Sequence, residues 1–106
     1  MKEIKAIIQP GKLETLREAL ADLPDFPGMS IHRAEGCGPT SDRTSQPKTV
    51  RQVLTDFSPK VRIEIIAPDA MVESILATIR EATHTGRLGD GIAWVTPVES
   101  FLRIRD

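Results

Sequence analysis

Apolar and polar residues alternate along several short stretches of this chain, as they do in a β-strand with one buried face. The alternation is clearest over residues 2–8 and 61–65 and weaker over residues 29–37, while residues 92–95 form a short apolar run. Residues 100–106 again alternate apolar side chains with arginine. We therefore predict four principal strands and a short final strand. The alternating apolar positions of the two clearest stretches are Ile4, Ala6, Ile8, Val61, Ile63 and Ile65.

Two other segments repeat apolar residues at the spacing of an α-helix. The positions are Leu13, Leu16, Leu20 and Leu23 in the first segment, and Val72, Ile75, Leu76 and Ile79 in the second. Pro24 and Pro27 are expected to end the first helix, because proline lacks the backbone donor that a helix needs. Asp69 is expected to cap the second helix or to favour its dipole. Gly86 is expected to supply a left-handed cap at its end.

A long segment, residues 38–58, separates the second strand from the third and has little apolar periodicity. Loops of this length are uncommon and tend to be functional or disordered. Its second half, from Val50 to Phe57, is consistent with a short helix or an extended stretch. The order βαββαβ predicts an α+β, ferredoxin-like fold, in which an antiparallel sheet carries both helices on one face. The other face must then be covered, and a homo-oligomer would cover it.

Composition narrows the class of protein. The 106 residues suit a single domain, 1–106, and a net charge of −1 argues against nucleic-acid binding. No apolar run approaches the length of a membrane span, and the first residues lack the apolar region of a signal peptide. Cys37 is the only cysteine, so an internal disulfide is excluded and a structural zinc site is disfavoured. We expect a cytoplasmic protein.

The segment TGRLGDG, residues 85–91, places three glycines between a helix and a strand. With Gly86 assigned to the helix cap, Gly89 and Gly91 have two interpretations. The pair Asp90–Gly91 is typical of a tight turn. Successive glycines also allow backbone amides to converge on a phosphate. The position after a helix and before a strand fits neither a Walker loop nor a dinucleotide fingerprint.

Arg103 and Arg105 are two residues apart and would share one face of an extended strand, about 7 Å apart. Paired guanidinium groups suit a polyphosphate, because arginine forms bidentate bonds to phosphate oxygens. The alternative is a charged, solvated edge near the C-terminus.

Other reactive residues have simpler interpretations. Cys37, between Gly36 and Gly38, indicates a hinge or a redox-sensing thiol. His32 and His84 lack a partner at metal-ligand spacing, and His84 is better explained by the dipole at a helix C-terminus. No nucleophile motif or close carboxylate pair is present to support an enzyme.

Taken together, several segments resemble the PII signal-transduction family over nearly the whole chain outside the long loop. They are MKEIKAIIQPGKLETLREAL, GMSIHRAEGCG, PKVRIEIIAPD, HTGRLGDG and VESFLRIRD. The resemblance implies a homotrimer with nucleotide sites in the clefts between subunits. It also implies that residues 38–58 form the T-loop, which contacts a regulated transporter, channel or enzyme.

The resemblance also assigns individual residues. Ile7, Ser30 and Ile66 would line the adenine and ribose region. Lys60 matches a family lysine that helps hold magnesium and 2-oxoglutarate, and Arg87 belongs to the glycine motif. The residues expected to surround the phosphates are Gly38, Gly89, Asp90, Gly91, Arg103 and Arg105.

The chain departs from the family pattern at the T-loop base and after the glycine motif. Pro39 and Thr40 replace an Arg-Gln pair, and Cys37 replaces an aromatic residue. That glutamine helps hold magnesium and 2-oxoglutarate, so its loss argues against 2-oxoglutarate sensing. Ile92 replaces a lysine, which removes a positive phosphate contact. The absence of tyrosine excludes tyrosine uridylylation of the loop.

These observations favour a regulator that binds AMP or ADP at least as tightly as ATP. The loss of these family residues points to divergent branches of the PII family, which are linked either to bicarbonate and carboxysomes or to metal efflux. The charged residues of the T-loop suggest bicarbonate or another small anion as a co-effector. One alternative is a trimeric metal-ion-binding protein linked to metal transport, with Cys37, His32 or His84 coordinating copper or zinc. Another is a slow nucleotide phosphatase.

Overall fold

The computed structural model describes residues 1–37, 57–87 and 89–105. Within these ranges the chain forms four strands and two α-helices, and a 3₁₀ turn directly precedes each helix. In chain order they are β1 (Lys2–Ile8), α1 (Leu13–Ala21), β2 (Ser30–Gly36), β3 (Ser58–Ala67), α2 (Val72–Thr83) and β4 (Gly91–Pro97). The strands make one antiparallel sheet in the order β2-β3-β1-β4. The predicted ferredoxin-like α+β fold is confirmed.

Both helices pack on one face of the sheet, because every second residue of the two central strands is apolar and points towards them. Leu16 and Leu20 of α1, and Ile75 and Ile79 of α2, meet these strand residues in a single buried cluster. Leu23 lies beyond the end of α1 and still packs against the cluster. The full cluster is Ile4, Ala6, Ile8, Leu16, Leu20, Val61, Ile63, Ile65, Ala67, Ile75 and Ile79.

The opposite face of the sheet carries charged and apolar side chains that no helix of the described chain covers. The Glu64 carboxylate lies 2.8 Å from His32 Nε2 and 3.4 Å from Arg62 Nη2. Ile66 and Ile92 lie on the same face and are 37% and 64% exposed. Burying such side chains against another protein surface would favour association. Their covering by another copy of the chain stays a prediction.

The approach to α2 differs from the prediction. Asp69 opens a 3₁₀ turn (Asp69–Met71) before the helix, and no side-chain cap is formed there. Its Oδ1 atom lies 2.9 Å from the Met1 amino nitrogen instead. This hydrogen bond holds the pKa of the Asp69 carboxyl below its ordinary value. Capping, the first of the two roles predicted for Asp69, is therefore wrong, because the amino group offers a charged partner. The second role, a favourable interaction with the helix dipole, stays a prediction.

The predicted short final strand is also wrong. The Val98 amide donates to the Met1 carbonyl at 3.2 Å, and residues 98–105 then continue without strand pairing. Leu102 and Ile104 are 85% and 100% exposed. A strand needs a neighbouring strand to satisfy its backbone donors and acceptors, and this segment pairs with neither edge of its own sheet.

Residues 38–56 of the predicted T-loop, with the proposed helix or extended stretch in their second half, lie outside the described residues. Ser58 opens β3 rather than closing the loop. No helix in the described part of the chain is long and apolar enough to cross a membrane.

Candidate functional site

Gly91 joins the glycine segment to the sheet, and its backbone lies very close to the backbone of β1. It opens β4 opposite Ile8 and has a φ of +119°, a conformation that favours glycine. A Cβ atom built there would collide with the Ile7 carbonyl oxygen and lie 3.0 Å from its carbonyl carbon. Gly86 and Gly89 also have positive φ values, of 79° and 88°. Gly91 is therefore required by the backbone path, and glycine is favoured at the other two positions, whatever the segment binds.

Asp90 closes the loop after α2. Its carboxylate accepts hydrogen bonds from the Thr85 amide at 2.7 Å, the Gly86 amide at 3.0 Å and the Thr85 hydroxyl. His84 Nδ1 lies 3.6 Å from the same carboxylate. The hydroxyl bond of Thr85, followed by the backbone amide bonds, holds the pKa of Asp90 below its ordinary value. Asp90 is thus a structural acceptor in this loop, and its carboxylate engages the amides of Thr85 and Gly86.

Gly86 does not form the predicted helix cap. The helix ends at Thr83, and the capping residue is His84, in an extended conformation. Gly86 comes two residues after that cap, so its positive φ serves the turn closed by Asp90 rather than the helix end. The effect of His84 on the helix dipole stays a prediction.

Replacing Asp90 by asparagine is expected to lower the melting temperature by a few degrees at pH 7, because the ionised carboxylate accepts three hydrogen bonds. A carboxyl whose folded pKa is depressed stabilises the protein above its unfolded pKa, near 3.9, and this contribution is lost as the pH falls further. The difference between wild type and Asp90→Asn should therefore shrink as urea midpoints are measured from pH 7 down to pH 3. Glu81→Gln, at an exposed site on α2, controls for the loss of one negative charge. A constant difference across this range would contradict the assignment.

The Gly89 carbonyl oxygen accepts hydrogen bonds from two side chains that are distant in the sequence. Gln9 Nε2 donates to it at 2.5 Å and Lys60 Nζ at 3.4 Å. Lys60 is only 8% exposed, and its methylene stem packs against Gly36. Lys60 was among the residues indicated by the sequence, and Gln9 was not. The sequence carries no local signal for Gln9, because its approach to Gly89 depends on the register in which Ile8, the last residue of β1, lies opposite Gly91.

A second group of predicted residues meets at the other end of β3. Ser30, Ile66 and Arg103 line one cleft of about 540 Å³. Phe101, which no sequence motif indicated, lines the same cleft. Its ring lies under the Arg103 guanidinium, with the Arg103 Cζ atom 5.4 Å from the ring centroid. The remaining lining residues are Glu3, Pro27, Gly28, Met29 and Glu64.

The two groups are far apart within one chain. Lys60 and Ile66 are six residues apart on β3, which corresponds to about 20 Å along an extended strand. Ile7 lies between them, paired with Arg62 and Ile92. A single chain therefore presents two partial sites and does not assemble the predicted residues into one pocket.

The other predicted residues are more peripheral. Arg87 is exposed, and its backbone amide donates to the Thr85 hydroxyl at 3.3 Å. Arg105 is exposed in the segment after β4, and Gly38 lies outside the described residues. In the ranges 1–37, 57–87 and 89–105, no group of three or more His, Cys, Asp and Glu side chains is arranged to hold a metal ion.

Comparison with known proteins assigns the chain to a family. The model for "Nitrogen regulatory protein P-II" matches residues 1–106. This chain belongs to the P-II family. The nitrogen regulatory protein P-II of Azospirillum brasilense is 43% identical over 105 residues, covering 99% of this chain and 92% of the relative. The P-II protein of Rhodospirillum rubrum and P-II 1 of Escherichia coli K12 are each 40% identical over the same shares.

The family assignment confirms the resemblance and identifies this P-II chain as a regulatory signalling protein. Lys60 is buried and Arg103 and Arg105 are exposed, and positively charged side chains of this kind bind phosphate in proteins. Ile92 follows Gly91 directly and exposes an apolar side chain.

Proposed function

We propose that this P-II chain forms a homotrimer that binds an adenine nucleotide between subunits. The observation that carries the proposal is the separation of the two partial sites on one chain. Lys60 and the glycine loop lie at one end of β3, whereas Ser30, Ile66 and Arg103 share a cleft at the other. Two neighbouring copies would bring one group of each kind together, which a single chain cannot do.

The uncovered face of the sheet supports assembly. Ile66 and Ile92 are exposed on it, and burying apolar surface of this kind favours association. A trimer would cover this face and bring the partial sites together at the same time. Sedimentation equilibrium on the full-length chain should give three times the 11.7 kDa monomer mass; a monomer at micromolar concentration would contradict the proposal.

In this proposal the bound nucleotide controls a partner protein through residues 38–58. A ligand that touches the base of that segment stabilises one of its conformations by its differential affinity for it. Binding of a transporter, channel or enzyme in the cytoplasm then follows nucleotide occupancy, with bicarbonate as a co-effector. Nucleotide affinity that stays constant across a bicarbonate titration would remove the co-effector from the proposal.

The nucleotide preference follows from Ile92. The family resemblance places a lysine there, and the exposed isoleucine supplies no charge to a terminal phosphate. AMP and ADP are therefore expected to bind at least as tightly as ATP with magnesium, as measured by isothermal titration calorimetry. Ile92→Lys should raise affinity for ATP more than for AMP. Wild-type protein that binds magnesium ATP far more tightly than ADP would contradict this expectation.

A further inference from the structure

The segment after β4 touches its own domain again at an aromatic side chain. Val98 is hydrogen-bonded to Met1, and the chain then runs without strand pairing to residue 105. Leu102 and Ile104 are 85% and 100% exposed, whereas Phe101 is 43% exposed and lines the cleft that contains Ser30 and Ile66. Phe101 is thus the residue through which this segment contributes an aromatic surface to that cleft.

Phe101 also contacts the arginine expected to bind phosphate. The Arg103 Cζ atom lies 5.4 Å from the centroid of the Phe101 ring. A guanidinium within about 6 Å of an aromatic face is attracted by the negative charge density of the ring. The contact limits the conformations of a long side chain on an exposed segment, so less conformational entropy is lost when Arg103 binds an anion.

We propose that Phe101 is a positioning residue that holds the Arg103 guanidinium at the cleft for the phosphate group of the nucleotide. The inference rests on the proposed function, since it names how one part of that site is organised. A role in core packing does not explain the ring, because Phe101 is 43% exposed and does not belong to the buried cluster. Direct stacking of the ring on the base is the competing role, and the experiment separates the two.

The first measurement needs no ligand. In the full-length protein, the Nε–H resonance of Arg103 should show a ring-current shift in nitrogen-edited NMR spectra. Phe101→Leu keeps an apolar side chain and removes the ring, so the shift should disappear. Phe101→Tyr keeps an aromatic face and should retain it. An Arg103 resonance at the same position in wild type and Phe101→Leu would overturn the proposal.

The second measurement is ADP binding by calorimetry. Phe101→Leu is expected to weaken ADP binding about 2- to 5-fold, the size of an exposed cation–π contact. Phe101→Tyr should restore wild-type affinity, and melting temperatures of all variants should agree within experimental error. In an Arg103→Gln background, Phe101→Leu should have no further effect, because the residue acts through the guanidinium.

The other possible results separate a failure of the positioning role from a failure of the proposed function. A Phe101→Leu defect that persists undiminished in the Arg103→Gln background would mean that the ring contacts the nucleotide directly, which overturns the positioning role. Wild-type affinity in Phe101→Leu would overturn it as well while leaving nucleotide binding intact. Wild-type protein that binds no AMP, ADP or ATP would refute the proposed function itself.

Discussion

Replacing Gly91 by alanine is expected to destabilise the protein by about 3 kcal/mol or more, the combined size of backbone strain and an overpacked contact. The φ of +119° disfavours any residue with a Cβ atom. The added methyl group would collide with the Ile7 carbonyl oxygen and lie 3.2 Å from the Ile8 Cα atom. Both obstacles are backbone of the central strand β1, which cannot move without disturbing its pairing with β3 and β4.

Two other glycines provide matched controls for this experiment. Gly86→Ala meets open space but keeps a positive φ of 79°, so it should cost about 1 kcal/mol from strain alone. Gly11→Ala meets nothing within 4 Å and needs no positive φ, so its stability should match or slightly exceed wild type. Urea unfolding followed by circular dichroism would rank the three. A Gly91→Ala midpoint equal to that of Gly11→Ala would refute the close-approach argument.

Replacing Arg103 and Arg105 together by alanine is expected to weaken nucleotide binding at least about 100-fold. Hydrogen bonds to charged groups contribute about 1.5–3 kcal/mol each, so losing one bond from each arginine removes about 3–6 kcal/mol. Both residues are exposed on a segment without strand pairing. Their removal should therefore leave the melting temperature and the oligomeric state unchanged. Isothermal titration calorimetry with ADP measures the loss of affinity. Scanning calorimetry measures the melting temperature, and sedimentation measures the oligomeric state.

A charge-matched variant separates a site from a general electrostatic effect. Arg17→Glu changes the net charge by the same two units at an exposed position on α1, outside both partial sites. Its ADP affinity should stay within about 3-fold of wild type, because the effect of an exposed charge outside the site is largely screened by salt. Equal losses in Arg17→Glu and Arg103→Ala/Arg105→Ala, or retained affinity in Arg103→Ala/Arg105→Ala, would refute the phosphate role of the arginines.

The arrangement of the predicted site residues could not be read from the sequence. Lys60 donates to the Gly89 carbonyl, whereas Ser30, Ile66 and Arg103 line a cleft at the other end of β3, so one chain divides them between two places. Gln9 was missed because it donates to Gly89, which is 80 residues away in sequence. Phe101 was missed because its contact with Arg103 depends on the path of a segment that the alternation wrongly predicted as a strand.

Local periodicity was sufficient to indicate the two helices and the four strands of the sheet. The alternation over residues 2–8 corresponds to β1 (Lys2–Ile8), and the helical spacing from Leu13 onwards corresponds to α1 (Leu13–Ala21). This works because burying one face of a strand or helix imposes its period on neighbouring residues. The motifs TGRLGDG and RIR similarly indicated the P-II family before any contact was known.

Only the tertiary structure decided what the glycine segment and the last residues do. Gly91 must be glycine because β1 passes against it, and Asp90 closes a loop with Thr85 rather than a turn with Gly91 alone. Leu102 and Ile104 alternate with arginine as a strand would, yet they remain exposed because neither edge of the described sheet pairs with them. Periodicity shows which side of a segment can be buried. The segment that buries it is set by strand register and by the path of the chain, and neighbouring residues do not encode either one.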